Sequence, residues 1–173
     1  RQMCIRDSNI IGHGLPSSPG AAAGKIVFTA DEAEAWAGRG EGVILVRTET
    51  SPEDIHGMHV AKGILTTRGG MTSHPAVVAR GMGKTCITGS SDLEVDLENG
   101  IARLGDLELF EGDELTLDGS QGLVFKGKVP MREPELGREF VTLMKWADEF
   151  RRLEVRTNAD TPADAALARR FGA

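Results

Sequence analysis

Residues 66–84 read TTRGGMTSHPAVVARGMGK. The short apolar run ILTT (64–67) ends in this stretch and reads as a strand. Gly69 and Gly70 then let the backbone turn sharply or approach a ligand closely. Pro75 fits the first position of a helix, where its missing N–H would be unpaired in any case. The helix that follows is short and stops near Gly81 or Gly83. Strand, glycine turn and helix in this order put His74 at or beside the N-cap, with Thr72 and Ser73 as hydroxyl neighbours. The local pattern is that of an α/β domain.

The pattern continues on both sides. Upstream, LPSSPG (15–20) has turn chemistry, GKIVFT (24–29) reads as a strand, and Asp31 to Gly38 as a short helix. GVILVRT (42–48) is a buried strand by its continuous apolar run. In SPEDIHGMHVAKG (51–63), Ser51 caps, Pro52 takes the first helical position, Asp54 completes a box and Gly63 stops the helix. Downstream, TCIT (85–88) reads as another strand. From 92 to 126 short runs alternate with turn residues, and LDGSQGLV (117–124) predicts a hairpin. One mixed α/β domain closed by a small antiparallel segment is therefore expected over residues 14–126.

Beyond it the character changes. KGKVPMREPELG (126–137) has glycine, proline and charge without a period, as linkers do. Residues 138–152 form an amphipathic helix, with Phe140, Leu143, Met144, Ala147 and Phe150 at helical spacing. LEVRTNAD (153–160) predicts a strand and TPADAALARR a helix, capped by Thr161 with Pro162 first. That is one βα unit with nothing to pair against. Residues 1–13 carry no pattern that places them and are set apart as a foreign-looking segment. The absence of an initiator methionine, and a chain that stops just after a helix, make both ends read as cuts.

Composition excludes several functions. The chain has 173 residues, 40% hydrophobic and 27% charged, in the range of globular domains. Its net charge of −6 argues against an extended nucleic-acid footprint but leaves room for a local phosphate site. Cys4 and Cys86 form neither a disulfide framework nor a metal pattern, which fits a reducing, cytoplasmic setting. No apolar run approaches membrane-spanning length, and residues 1–10 lack the apolar core of a secretory signal.

A helix N-terminus presents unpaired N–H groups and partial positive charge. That favours a neutral imidazole and an anion, such as phosphate, beside it. His74 can then accept a phosphoryl group. The plain alternative is a polar surface histidine after a turn. Thr72 is either an orienting hydroxyl or an ordinary turn residue, and Ser73 reads as a cap. Arg68 and Arg80 are cations that can assist phosphate or simply stand in solvent. His56 and His59, three apart without a third ligand, read as packing or surface residues rather than a metal site. Cys86 reads as a small core residue.

The string GGMTSH followed by AVVARGMGK resembles the phosphohistidine signature of the pyruvate phosphate dikinase family. The resemblance continues, in order, through GLPSSPGAAAGKIVF, ILVRTETSPEDIHGMH, GDELTLDGSQG, VPMREPEL and WADEFRRLEVRTNADTPADAALARRFGA, from Gly14 to Ala173. Phosphoenolpyruvate synthase and Enzyme I of the sugar phosphotransferase system carry similar motifs. Their versions differ around the methionine after the glycine pair and in ARGMGK. Pro75 stands where the dikinase family usually has alanine, and Thr85 where it usually has proline.

The resemblance implies a swivelling phosphohistidine domain of β/β/α type at 14–126 and a linker with its helix at 127–151. The first βα unit of a truncated (β/α)8 barrel for pyruvate or phosphoenolpyruvate follows at 152–173. It implies that ATP, phosphate and pyruvate become AMP, pyrophosphate and phosphoenolpyruvate. His74 would be the intermediate, phosphorylated on Nε2 with Nδ1–H held by an acceptor. Thr72 matches a threonine that is a regulatory phosphorylation site in plant members. Gly69, Gly70, Ser73 and Arg80 would support the phosphate. Partners would be the nucleotide-binding domain and barrel of the same cytoplasmic, homodimeric enzyme, which would hold Mg²⁺ outside this segment. No nucleic acid, membrane or metal site of the segment's own is expected. Two other readings stand beside this one: the carrier domain of a phosphoenolpyruvate synthase-like enzyme, and a structural or regulatory module without transfer.

Overall fold

In the computed structural model, which describes residues 10–131, 138–154, 156, 157, 159 and 162–170, the continuous apolar runs become the centre of one sheet. Strands β3 (Ala21–Val27), β4 (Val43–Arg47), β5 (Gly63–Thr66) and β6 (Thr85–Thr88) lie side by side and parallel. Helices α1 (Ala30–Gly38), α2 (Ile55–Val60) and α3 (His74–Gly81) connect them. Antiparallel strands extend the sheet at both sides. The hairpin β10 (Glu114–Asp118) and β11 (Leu123–Lys126) joins β3, with β1 (Ile10–His13) outside it. At the opposite edge β2 (Leu15–Ser18) pairs with β6. The eight-stranded order is β1-β11-β10-β3-β4-β5-β6-β2, and β7 (Leu93–Asp96), β8 (Ile101–Leu104) and β9 (Leu107–Phe110) form a separate antiparallel sheet.

Alternation along the strands sorts the core into two layers. Val43, Leu45, Ile64 and Cys86 face the helices, packing with Ala33, Met58 and Ala79. Ile44, Val46, Leu65 and Ile87 face the small sheet, packing with Leu93, Ala102, Leu104 and Leu109. Both faces of the parallel strands are covered, which is why they read as uninterrupted apolar runs. The layers are helix, sheet, sheet.

Several expectations need correction. The unplaced segment 1–13 includes an element of the domain at its end: Ile10–His13 is β1, paired with Phe125, Val124 and Leu123 of β11. A Cβ on Gly12 would lie 2.5 Å from Leu104, so the small sheet presses directly on this strand. Residues 15–18 extend as β2 rather than turning, and Pro16 is accommodated because β2 is an edge strand. The 52–62 helix is a single 3-10 turn, Pro52–Asp54, followed by α2, which ends at Val60. Gly63 opens β5 instead of stopping the helix. A Cβ there would sit 3.0 Å from Ala22 and 3.1 Å from both Ile44 and Leu117, so glycine serves close packing.

By its internal contacts the chain divides into two units, residues 1–134 and 135–173. In the second, α4 (Arg138–Phe150) has no buried residue, and α5 spans Pro162–Arg170. Among the described residues of 151–159 no strand forms; an isolated strand has no neighbour to satisfy its backbone. The proposed cap Thr161 lies outside the described residues, as does most of the linker after Met131. Among the described residues no helix is long and apolar enough to cross a membrane.

Candidate functional site

The candidate site lies where β4 and β5 end and their loops leave the sheet, the end of parallel strands at which α/β domains place ligands. The two exits are tied together. Thr67 and Arg68 donate backbone N–H groups to Arg47 O (3.1 Å) and Thr48 O (2.9 Å), so pairing persists one step beyond the strands. Thr66 Oγ1 donates to Arg68 O at 2.7 Å and Ser90 N to Thr66 O at 3.1 Å.

The glycine turn follows. Gly69 has φ 112°, a left-handed conformation that glycine alone adopts readily, and a Cβ on it would lie 2.8 Å from Ser73 Oγ. Gly70 has no positive φ, and a Cβ there would meet nothing within 4 Å. Conformation thus requires the first glycine, while the second leaves open space above the loop. Ser73 occupies the N-cap of α3, but its hydroxyl donates to Gly70 O at 2.6 Å instead of accepting from the helix. The first-turn N–H groups of α3 gain no side-chain cap from it.

His74 is the first helical residue and Pro75 the second, one position later than expected. Pro75, Ala76 and Ala79 are buried and seat the helix, leaving the imidazole half-buried. Its Nδ1 lies 3.2 Å from Thr50 Oγ1, and Nε2 makes no hydrogen bond among the described residues. Thr50 is itself buried, 6% exposed, in the loop after β4. That loop is braced. Asp54, also buried, accepts from Ser51 N at 2.8 Å and faces Arg47 Nη2 at 3.5 Å, while Arg47 Nη1 donates to Phe28 O. When Nδ1 carries the ring proton and donates it to Thr50, the Nε2 lone pair points away from this contact.

The other sequence candidates divide. Thr72 is exposed and makes no side-chain bond. Arg80 donates through Nε to Ser17 O (2.8 Å) and through Nη2 to Met71 O, so its guanidinium clamps α3 to β2 and the glycine loop. Arg68 is exposed. His56 pairs with Asp31 at 3.0 Å, away from His59, and among the described residues no group of three or more His, Cys, Asp or Glu is placed to hold a metal ion. Cys86 is fully buried in the helix-side core, and burial pushes its thiol up to about 12, against the pull of Arg80. Met71 and Val77, three residues before and after His74 in sequence, are each about half exposed.

Sequence reasoning missed Thr50. It is 24 residues from His74, and no local pattern marks it. The available signal was topological: a hydroxyl in the loop after one parallel strand lies beside the loop after the next.

Residues 39–122 match the family described as PEP-utilising enzyme, mobile domain. Over 165 residues, 95% of this chain, it is 60% identical to a pyruvate, phosphate dikinase of Rhizobium meliloti. It is 56% identical to pyruvate, phosphate dikinase 1, chloroplastic, of Arabidopsis thaliana over 95% of the chain. Identity to a Clostridium symbiosum pyruvate, phosphate dikinase is 54% over 98% of the chain. The chain spans 18%, 17% and 19% of those three proteins respectively.

Proposed function

We propose that the chain is a segment of a pyruvate, phosphate dikinase that includes the mobile domain of PEP-utilising enzymes, and that His74 carries a phosphoryl group between two sites on other parts of the whole protein. The observation that carries this reading is the state of the imidazole. It is half-buried at the start of a helix, Nδ1 faces Thr50 at 3.2 Å, and Nε2 makes no hydrogen bond among the described residues.

In the transfer from phosphoenolpyruvate, the Nε2 lone pair attacks phosphorus. An N–P bond forms, the enol ester O–P bond breaks, and the enolate takes a proton to become pyruvate. Nδ1–H stays on Thr50 throughout, so positive charge developing on the ring is shared with a hydroxyl that needs no reorientation. In the other half-reaction of this direction AMP and pyrophosphate take up the same phosphoryl to give ATP and phosphate; in reverse, ATP and phosphate load the histidine and AMP and pyrophosphate leave. Splitting the transfer at one covalent intermediate makes each half separately reversible.

The remaining parts take supporting roles. Gly69 shapes the loop, the open space above Gly70 admits phosphate oxygens, and Ser73 and Arg80 hold the loop rather than the ligand. Thr72, exposed beside the ring, suits orientation of the phosphate and is the residue a regulatory kinase would reach. Met71 and Val77 suit successive docking on a nucleotide-binding domain and a barrel. Residues 14–126 would swivel, 127–151 would link, and 152–173 would begin the barrel. Magnesium would be held by those flanking domains of a cytoplasmic homodimer.

Isotope exchange in the full-length protein tests this reading. His74→Asn should abolish both pyruvate–phosphoenolpyruvate exchange and the ATP-side exchange while leaving the thermal transition within a few degrees. Persistence of either exchange would remove His74 from the pathway.

A further inference from the structure

The opposite end of the parallel strands holds a second feature that the His74 chemistry does not use. A cavity of about 600 Å³ opens where β3 projects below the starts of β4, β5 and β6. Its walls are Pro19, Gly20 and Ala21–Ala23, then Gly42, Gly83 and Met131, with Lys62, Lys128 and Thr85 supplying the polar groups. The volume lies within the ~300–1,000 Å³ of small-molecule sites. Its described lining residues include no carboxylate, although the chain carries a net charge of −6. The adjacent acid, Glu41, is held by Lys25 at 3.0 Å.

Two observations point to an anion. Lys62 and Lys128 form no ion pair or hydrogen bond through their ammonium groups. Lys62 lies along Gly42, whose Cβ position is 3.6 Å from its Cγ. Thr85 is 5% exposed, yet its hydroxyl has no hydrogen-bond partner. Among the described residues no sealed-off side-chain N or O atom lacks a partner, so this oxygen is open to the cavity that Thr85 lines. A Cβ on Gly20 would stand 2.9 Å from that oxygen, so glycine keeps the hydroxyl uncovered.

We propose that this cavity binds a small phosphate monoester, its phosphate held by the ammonium groups of Lys62 and Lys128 and by the hydroxyl of Thr85. Two ammonium groups and a hydroxyl able to donate suit a dianion with several free oxygens better than a single carboxylate. Lys84, between Gly83 and Thr85, is held below the ordinary lysine range by burial and by the charge of Lys62. A dianion would relieve that repulsion. The glycine and alanine walls and the Met131 thioether leave room for an organic body.

The test is an amide NMR titration of the chain with inorganic phosphate and with glycerol 3-phosphate at constant ionic strength. Gly20, Gly42, Gly83 and Thr85 should shift together and saturate, with the ester binding more tightly, while Gly70 and His74 stay still. Lys62→Gln with Lys128→Gln should weaken binding at least about tenfold, as loss of charged contacts does. Both lysines are exposed, so folding should survive. Thr85→Val should weaken it about tenfold, as loss of one hydrogen bond to a charged group does. Absence of saturable shifts below about 10 mM, shifts confined to the His74 loop, or affinity unchanged in the lysine variant would each overturn the proposal. His74→Asn should not alter this binding, so its outcome is separable from that of the phosphoryl-transfer assay.

Discussion

At the scale of single residues, the site depends on one hydrogen bond that crosses between loops. Thr50 is a positioning residue: it touches the imidazole, not the phosphorus. Thr50→Val removes the acceptor for Nδ1–H and leaves a buried methyl in its place. One neutral hydrogen bond is worth ~1–1.5 kcal/mol, so phosphoryl transfer to His74 should slow about tenfold. Thr50→Ser should restore most of the rate, and ¹⁵N shifts of the His74 ring should show a larger Nε2–H population in the valine variant alone. An unaltered rate and tautomer in Thr50→Val would mean that the 3.2 Å contact does not orient the ring.

His74 itself was legible, because a glycine pair, a proline and a short apolar helix all act within ten residues. Its partner was not, because strand order decides which loops meet, and strand order depends on pairings remote in sequence. The same reason hid other features. Pro16 reads as a turn residue until its strand is known to lie at an edge. Gly63 reads as a helix stop until Ala22 and Leu117 are seen against it.

At the scale of elements, α1 and α2 are pressed together at Gly57. A Cβ there would be 2.4 Å from Ala30 Cα and 2.9 Å from Ala30 O, and backbone cannot swing aside. Gly57→Ala should therefore lose about 1–3 kcal/mol in urea denaturation, although alanine is the better helix former by ~1 kcal/mol. Gly38→Ala, where a Cβ meets nothing within 4 Å, should be neutral or gain up to about 1 kcal/mol. Equal effects at the two positions would contradict the close α1–α2 approach.

The same pair of helices carries a pH-dependent contact. The hydrogen bond that His56 donates to Asp31 raises its value above the ordinary one, opposed by desolvation and helped less by the Glu53 backbone and by the charges of Asp31 and Glu34. A raised value means that the folded state binds the proton more tightly than the unfolded chain. The contribution is thus full below the unfolded value of about 6.5 and is lost as pH rises through the higher folded value. The difference in midpoint between the parent chain and His56→Gln should be present at pH 5.5 and vanish by pH 8.5. A difference that grows with pH would reverse the assignment. The short helices themselves were readable from their caps. The capping box of Thr29 and Glu32 went unread because the strand run GKIVFT absorbed Thr29.

At the scale of the whole molecule, the domain that carries His74 has a core of its own. Both faces of the parallel strands are covered, by helices and by the small sheet, so the His74 end needs no other domain to complete its core. Unit 135–173 contrasts with it, since α4 buries none of its residues. In hydrogen exchange on the chain, β3 to β6 and β10 should exchange through global unfolding, while amides after about residue 138 exchange orders of magnitude faster. Uniform protection across both units would place the boundary elsewhere. The α/β class and the hairpin at 117–124 were legible because they are local. The pairing of β10 with β3 and of β1 with β11 was not, because each joins residues about ninety or more apart.

The central claim is that Nε2 of His74 carries the phosphoryl group. It is tested most directly by treating the full-length protein with labelled phosphoenolpyruvate and locating the adduct. The account predicts an acid-labile, base-stable phosphoryl group on the peptide GGMTSHPAVVAR, residues 69–80. ¹⁵N and ³¹P spectra should place it on Nε2 of His74, and His74→Asn should abolish it. A phosphoryl group on another residue, on Nδ1, or still present in the asparagine variant would contradict the account.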